Sequence, residues 1–140
     1  MKTQGFTLTE AIITVSILAL LAVFAVPGFQ NSMARSKVQK TSDLVVGLIG
    51  ISQSEALQRN IKTYFSVANG EICIGTTALG CDLRKETLTD GITLTAPDLI
   101  FSPFYGMPSP VPAVFTVTYS GVSQTVNMNK LGMITIGPLS

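Results

Sequence analysis

Two hydrophobic rhythms divide the chain. From Phe6 to Val26 nearly every position is apolar, a run of 21 residues broken only by threonines, one serine and one acid, Glu10. As a helix rising about 1.5 Å per residue, such a run is roughly 30 Å long, the depth of a bilayer's hydrocarbon core. Pro27-Gly28 then predicts a kink, because proline removes an intrahelical hydrogen bond and glycine lowers helix propensity. Beyond it the helix resumes with one apolar stripe, Phe29, Met33, Val38, Thr41, Leu44, Val45, Leu48, Ile49 and Ser52. Gln30, Arg35, Lys37, Gln39, Lys40 and Asp43 fall on its other faces. Phe6 to about Arg59 would make a helix about 80 Å long by its rise per residue.

From Ile61 the period changes to two. Ile61, Thr63, Phe65 and Val67 alternate with Lys62, Tyr64, Ser66 and Ala68; Ile92, Leu94 and Ala96 alternate with threonines; Phe115, Val117 and Tyr119 alternate with Thr116, Thr118 and Ser120. These are strands punctuated by glycines, and Ser120-Gly121 between two alternating runs marks a hairpin. The proline-rich stretch Pro103 to Pro112 lacks the donors a ladder needs and is expected to be a surface loop. Neither the strands nor the second half of the helix can bury an apolar face alone, so the two must pack together. The expected fold class is α+β: a long N-terminal helix, membrane-spanning in its first half, packed on a C-terminal antiparallel β-sheet domain.

Composition agrees with an anchored protein. The chain is 46% hydrophobic and 12% charged, about half the charged fraction of a soluble domain. An ordinary secretory signal has a shorter apolar centre and a small-x-small cleavage site after it. Here the processing-like boundary, Gly5-Phe6, precedes the apolar run, so a cut there leaves the helix on the mature chain.

Gly5-Phe6-Thr7-Leu8-Thr9-Glu10 resembles the class III prepilin signal of type IV pilins and type II secretion pseudopilins. The resemblance implies that a membrane peptidase cuts between Gly5 and Phe6, that Phe6 is then N-methylated, and that Glu10 neutralises a charge between subunits during assembly. Thr9 departs from the family pattern, where an aliphatic residue is usual, and touches neither the cut nor the charge. A buried carboxylate costs about 2.5 to 3.5 kcal/mol even on lenient insertion scales, so Glu10 needs a cation, and the new α-amino group of Phe6 supplies one. The alternative is a solvated acid at the helix start, favoured by the helix dipole. Leu44 to Leu48 with Ser54-Glu55-Ala56-Leu57-Gln58-Arg59-Asn60 resembles the helix end of FimT/GspH-type minor pilins and pseudopilins. Glu55 and Arg59, four apart, also read as an ordinary helix ion pair.

The implied organisation is a leader over 1–5, a transmembrane half-helix over 6–27, a periplasmic amphipathic half over 28–60 and a β-rich globular domain over 61–140. The implied location is the bacterial inner membrane, single-pass, with the N-terminus cytoplasmic and the globular domain periplasmic, then a pilus or pseudopilus after assembly. Lys2 lies before the span and Arg35, Lys37 and Lys40 after it, so the positive-inside count leans the other way; the leader motif outweighs it. Implied partners are other pilins or pseudopilins through the N-terminal helix, the prepilin peptidase and methylase, and the membrane.

Cys73 and Cys81, the two cysteines, flank a turn-rich stretch that could bring them together. A disulfide is the natural state outside the cytoplasm and would contribute roughly 2 to 3 kcal/mol in the chain-entropy model; free thiols are the alternative. Zinc has too few ligands, since there is no histidine. Catalysis finds no support either: the commonest general base is missing, and no nucleophile elbow, phosphate loop or dinucleotide fingerprint is present. Asp82, Glu86 and Asp90 have helical spacing, but Arg84, Lys85 and Gly91 among them point to a solvated loop. No cofactor or metal is expected.

Three functions compete. The first is a minor pilin, a structural or initiating subunit of a type IV pilus; the second is a GspH-like pseudopilin. The third is a FimT-like DNA receptor for natural transformation, which in that family uses a C-terminal Gly-Arg-x-Arg motif. Here that position reads Gly132-Met133-Ile134-Thr135. From Ile61 onward four basic residues stand against five acidic ones, a net charge of −1, the wrong sign for phosphate. Arg84-Lys85 is the one small basic spot that could touch DNA.

Overall fold

Thr7 starts the helix. The structure, a computed structural model, describes residues 7–78 and 80–140, and of Ala25, Val26 and Pro27 only the backbone. Helix α1 runs over Leu8–Arg59 without interruption, so Pro27-Gly28 does not break it. Its C-terminal cap is built from sequence: Asn60 takes a left-handed conformation (φ 54°) and the Ile61 amide donates back to the Ala56 carbonyl at 3.3 Å. That bond closes a Schellman motif, and asparagine tolerates the left-handed turn better than other side chains bearing a Cβ. The chain divides into two compact units after Met33.

In the unit Ala34–Ser140, nine strands follow α1 among the described residues: β1 (Thr63–Ala68), β2 (Glu71–Gly75), β3 (Arg84–Thr87), β4 (Thr93–Thr95), β5 (Leu99–Phe101), β6 (Pro108–Ser109), β7 (Ala113–Tyr119), β8 (Val122–Met128) and β9 (Ile134–Ile136). They form two antiparallel sheets, ordered β3-β2-β1-β5-β6 and β4-β7-β8-β9. The sequence pattern gave no sign of a second sheet. The chain changes sheet at three breaks: around Gly91 (φ 81°), at Pro97, and at Pro110 and Pro112. A positive-φ turn or a residue without an N–H cannot continue a ladder. Asn69-Gly70 and Ser120-Gly121, both pairs at positive φ, close the β1–β2 and β7–β8 hairpins, as two-residue turns of the primed type require.

Pro108 corrects one expectation. The stretch Pro103 to Pro112 is not all loop, because Pro108-Ser109 pairs with β5. It does so at the sheet's edge, where a missing N–H is tolerated.

The core joins both sheets to α1. Phe65, Ile72, Ile74, Leu99 and Phe101 from the first sheet meet Phe115, Val126 and Met128 from the second, with Val45, Leu48, Ile49 and Ala56 from the helix. Phe65 and Phe115 stack edge to face with centroids 5.9 Å apart, the arrangement favoured by the ring quadrupoles. The Thr63 hydroxyl, fully buried, donates to the Ser52 carbonyl at 2.7 Å and ties β1 to the helix.

The buried face of α1 is narrower than the large apolar residues suggest. It follows a seven-residue grid: Ala34, Thr41 and Leu48; Val38, Val45 and Ser52; Ser42, Ile49 and Ala56. Phe29, Met33 and Leu44, expected in the stripe, are exposed. Phe29 shares its column with Ser36, Asp43 and Gly50, and Leu44 shares one with the half-buried Lys37 and Ile51. Ala34, Ser42 and Ala56 share the seam with Val38, Val45, Leu48 and Ile49, and small side chains there let the backbone lie close to the residues it packs against.

Candidate functional site

The helix start is built by one side chain. Thr7 stands at the N-cap: its carbonyl accepts the first helical bond, from the Ala11 amide at 3.2 Å, and its hydroxyl oxygen accepts from the Glu10 amide at 3.3 Å. The same hydroxyl donates to Glu10 Oε2 at 3.3 Å. Thr7-x-x-Glu10 has the sequence of a capping box, and here the Glu10 carboxylate bonds the Thr7 hydroxyl. That role was legible from Ser/Thr-x-x-Glu before an apolar run but was hidden behind the leader motif. Glu10 is exposed on the first turn, where an acid also complements the helix dipole. Gly5 and Phe6 lie outside the described residues.

Past Glu10 the helix is apolar all round. Ile12, Ile13, Val15, Ile17, Leu18, Leu20, Leu21, Val23 and Phe24 are all exposed, and the segment is long and apolar enough to cross a membrane. Its hydroxyls are satisfied within the helix: Thr14 donates to the Ala11 carbonyl at 2.9 Å and Ser16 to the Ile12 carbonyl at 2.8 Å. Lipid offers no partner, so only such internal bonding makes polar side chains cheap there. The surface that water would penalise is thus one that a bilayer, or a bundle of like helices, accepts.

On the β unit, Cys73 and Cys81 are bonded, their Cα atoms 4.8 Å apart. Asp82 secures the same loop by accepting from the Thr76 amide at 2.9 Å and the Thr76 hydroxyl at 2.8 Å. Those bonds, the backbone one first, hold the Asp82 carboxyl below its ordinary range. Asp82, Glu86 and Asp90 share no helix: Glu86 lies on β3 and the other two in turns. Arg84 and Lys85, on exposed β3, are each engaged, Arg84 with Glu86 at 2.7 Å and Lys85 with Glu71 at 2.9 Å. Glu55 and Arg59 form the expected ion pair on α1. Gly132 occupies a positive-φ turn organised by the Asn129 side chain, which accepts from the Leu131 and Met133 amides at 2.9 and 3.0 Å. Exposed apolar side chains crowd two loops near the end of α1, Phe104, Tyr105 and Met107 in one and Leu131 and Met133 in the other. Glycines in both loops, Gly106 and Gly132, lie against Gln53.

An apolar helix of membrane-spanning length and a disulfide-bonded two-sheet unit are together consistent with membrane anchoring. Residues 1–26 match the model of the prokaryotic N-terminal methylation motif. The fold is similar to that of the type IV minor pilin FimU of Pseudomonas aeruginosa in two crystal forms. TM-scores are 0.61 and 0.63 at 19% identity, covering 71% and 74% of this chain and 92% and 90% of FimU. A type IV major fimbrial protein FimA of Dichelobacter nodosus is 49% identical over 95 residues, 66% of this chain and 54% of that relative; another is 42% identical over 45 residues, 28% of its length. The chain thus spans about half, or less, of the relatives it matches in sequence. The chain carries that methylation motif at its start and has a type IV pilin-like fold, a long helix packed on antiparallel sheets.

Proposed function

We propose that this chain is a minor pilin, a structural or initiating subunit of a type IV pilus. In this reading it is cut between Gly5 and Phe6, N-methylated at Phe6, and held in the bacterial inner membrane by the first half of α1, with the N-terminus cytoplasmic and the β unit periplasmic. It enters the fibre through that helix. Glu10 then exchanges its local contact with Thr7 for the α-amine of Phe6, its own or a neighbour's. Partners are other pilins, and the exposed loops around Phe104 and Leu131 are the surface offered to them.

One joint observation carries the reading. A methylation motif over residues 1–26 opens a chain whose fold is similar to that of a protein described as a minor pilin. Against DNA uptake stands the pairing of Arg84 and Lys85 with carboxylates, which leaves no open basic pair in β3. A pseudopilin of type II secretion would use the same parts, so the test must separate the machines. Disrupting the gene should lower the number of surface fibres while secretion of exoproteins is unchanged, and tagged protein should appear in sheared fibres far below the main subunit. Normal fibres with failed secretion would refute the pilus assignment, and presence as the main subunit would refute the minor one.

A further inference from the structure

We propose that the outer face of the five-stranded sheet carries a binding cleft for a basic side chain, a lysine or arginine of a partner polypeptide, with Asp98 as its anion. The inference is independent of the pilin reading. A cleft of about 280 Å³ lies over β1, β5 and β6. Pairing register fixes its floor. Tyr64 stands opposite Ile100 and Ile100 opposite Ser109, one cross-strand row. Phe65 pairs with Leu99, which places Ser66 and Asp98 together in the next row. Alternate residues share a face, so these side chains look away from the buried Phe65, Leu99 and Phe101.

The walls are held firmly. Pro110 forms one side and Ala78 another. Ala78 is carried by the loop that the Cys73–Cys81 bond and the Asp82–Thr76 contacts tie down. Gly75 and Gly80 let that loop lie against β2, since a Cβ on Gly75 would run into the Gly80 carbonyl.

The chemistry of the lining selects a cation. Asp98 is exposed at the cleft's edge and, among the described residues, has no cation within ion-pair reach. The other acids of this sheet and its cystine loop are engaged: Glu71 with Lys85, Glu86 with Arg84, Asp82 with Thr76. Around Asp98 stand the hydroxyls of Tyr64, Ser66 and Ser109, which can accept as well as donate. The Tyr64 ring can add cation–π attraction, and Ile100 and Pro110 suit the alkyl stem of a long basic side chain. With a carboxylate and no basic residue in its lining, the cleft disfavours phosphate and favours a cation.

The test uses the full chain in detergent micelles, followed by NMR of its isoleucine and alanine methyl groups. It is titrated with Nα-acetyl-arginine amide, Nα-acetyl-lysine amide, the neutral isostere Nα-acetyl-citrulline amide, and a methyl glucoside. The cationic probes should shift the Ile100 and Ala78 methyls saturably in the millimolar range, and citrulline should bind about tenfold more weakly, the loss of one charge-assisted contact. Asp98→Asn should weaken the cationic probes by a similar factor, while Asp90→Asn should leave them unchanged. Equal binding by citrulline, saturation by the glucoside alone, indifference to Asp98→Asn in a folded variant, or no saturable shift would each overturn the proposal. The probe contrast on the unmutated chain decides the matter even if Asp98→Asn fails to fold.

Discussion

Thr7 and Glu10 can be separated by substitution because they hold each other through ordinary capping bonds. Replacing a threonine cap by alanine costs about 1 kcal/mol and loosens only the first turn. Removing Glu10 eliminates a charge that is expensive in lipid and with it the counter-charge proposed for Phe6. Glu10→Val should therefore insert in the membrane at least as well as the parent but enter fibres poorly, whereas Thr7→Ala should be processed and enter them nearly normally. Immunoblots of membrane and sheared-fibre fractions measure both. Equal assembly defects in the two variants would reduce Glu10 to a helix-capping residue.

Asp82 offers a second residue-scale test. Its folded pKa is depressed by the Thr76 bonds, so the loop stability it contributes is fully present above the unfolded value, about 3.9. That contribution is lost as pH falls through the lower, folded value. Hydrogen exchange at the Thr76 amide should stay slow at pH 5 and quicken only in stronger acid. In Asp82→Asn it should be fast already at neutral pH. A Thr76 amide indifferent to both changes would show that the disulfide alone holds the loop.

At the scale of elements, the seven-residue grid along α1 sorts its apolar residues into those that support the β unit and those that do not. Leu48 and Ile49 are almost fully buried, and truncating either to alanine should cost about 2 to 5 kcal/mol. Leu44→Ala should cost less than about 0.5 kcal/mol, as exposed substitutions do. Thermal unfolding of the full chain in detergent, read by near-ultraviolet circular dichroism, measures the difference. A large loss at Leu44 would contradict the grid. The same element shows where sequence reading stops. Period and length revealed the helix, because a wholly apolar run and an amphipathic run are both visible in one dimension. Which apolar residues are covered was not, since the seam is marked by Ala34, Ser42 and Ala56, whose smallness carries no hydrophobic signal. Ser120-Gly121 was legible from local turn chemistry. The second sheet and the pairing of Pro108 depend on contacts between distant segments, as do the groups around Asp98, which register alone brings together. Ser42 keeps one feature without a visible reason: its buried hydroxyl has no hydrogen-bond partner among the described residues. Ser42→Ala should therefore be neutral or stabilising by about 1 kcal/mol, and a destabilised variant in the same melt would reveal a partner.

At the scale of the whole molecule, two environments are written into one chain. Residues 8–24 expose apolar side chains at nearly every position, and Thr14 and Ser16 satisfy their hydroxyls internally, which suits lipid or a helical bundle. The β unit carries its own core and a bonded cystine, and two of its basic residues, Arg84 and Lys85, are paired with acids. A signal-peptide explanation of the apolar run would have the run removed. The pilin account has it retained, with only the polar stub before Phe6 cut away. The measurement that bears most directly on this is the intact mass of the protein recovered from membranes and sheared fibres, with fragmentation of its N-terminal peptide. The account predicts a chain that begins at N-methyl-Phe6 and contains the Cys73–Cys81 bond. A mature chain that begins after Ala25, or one that retains Met1 in the fibre, would contradict it.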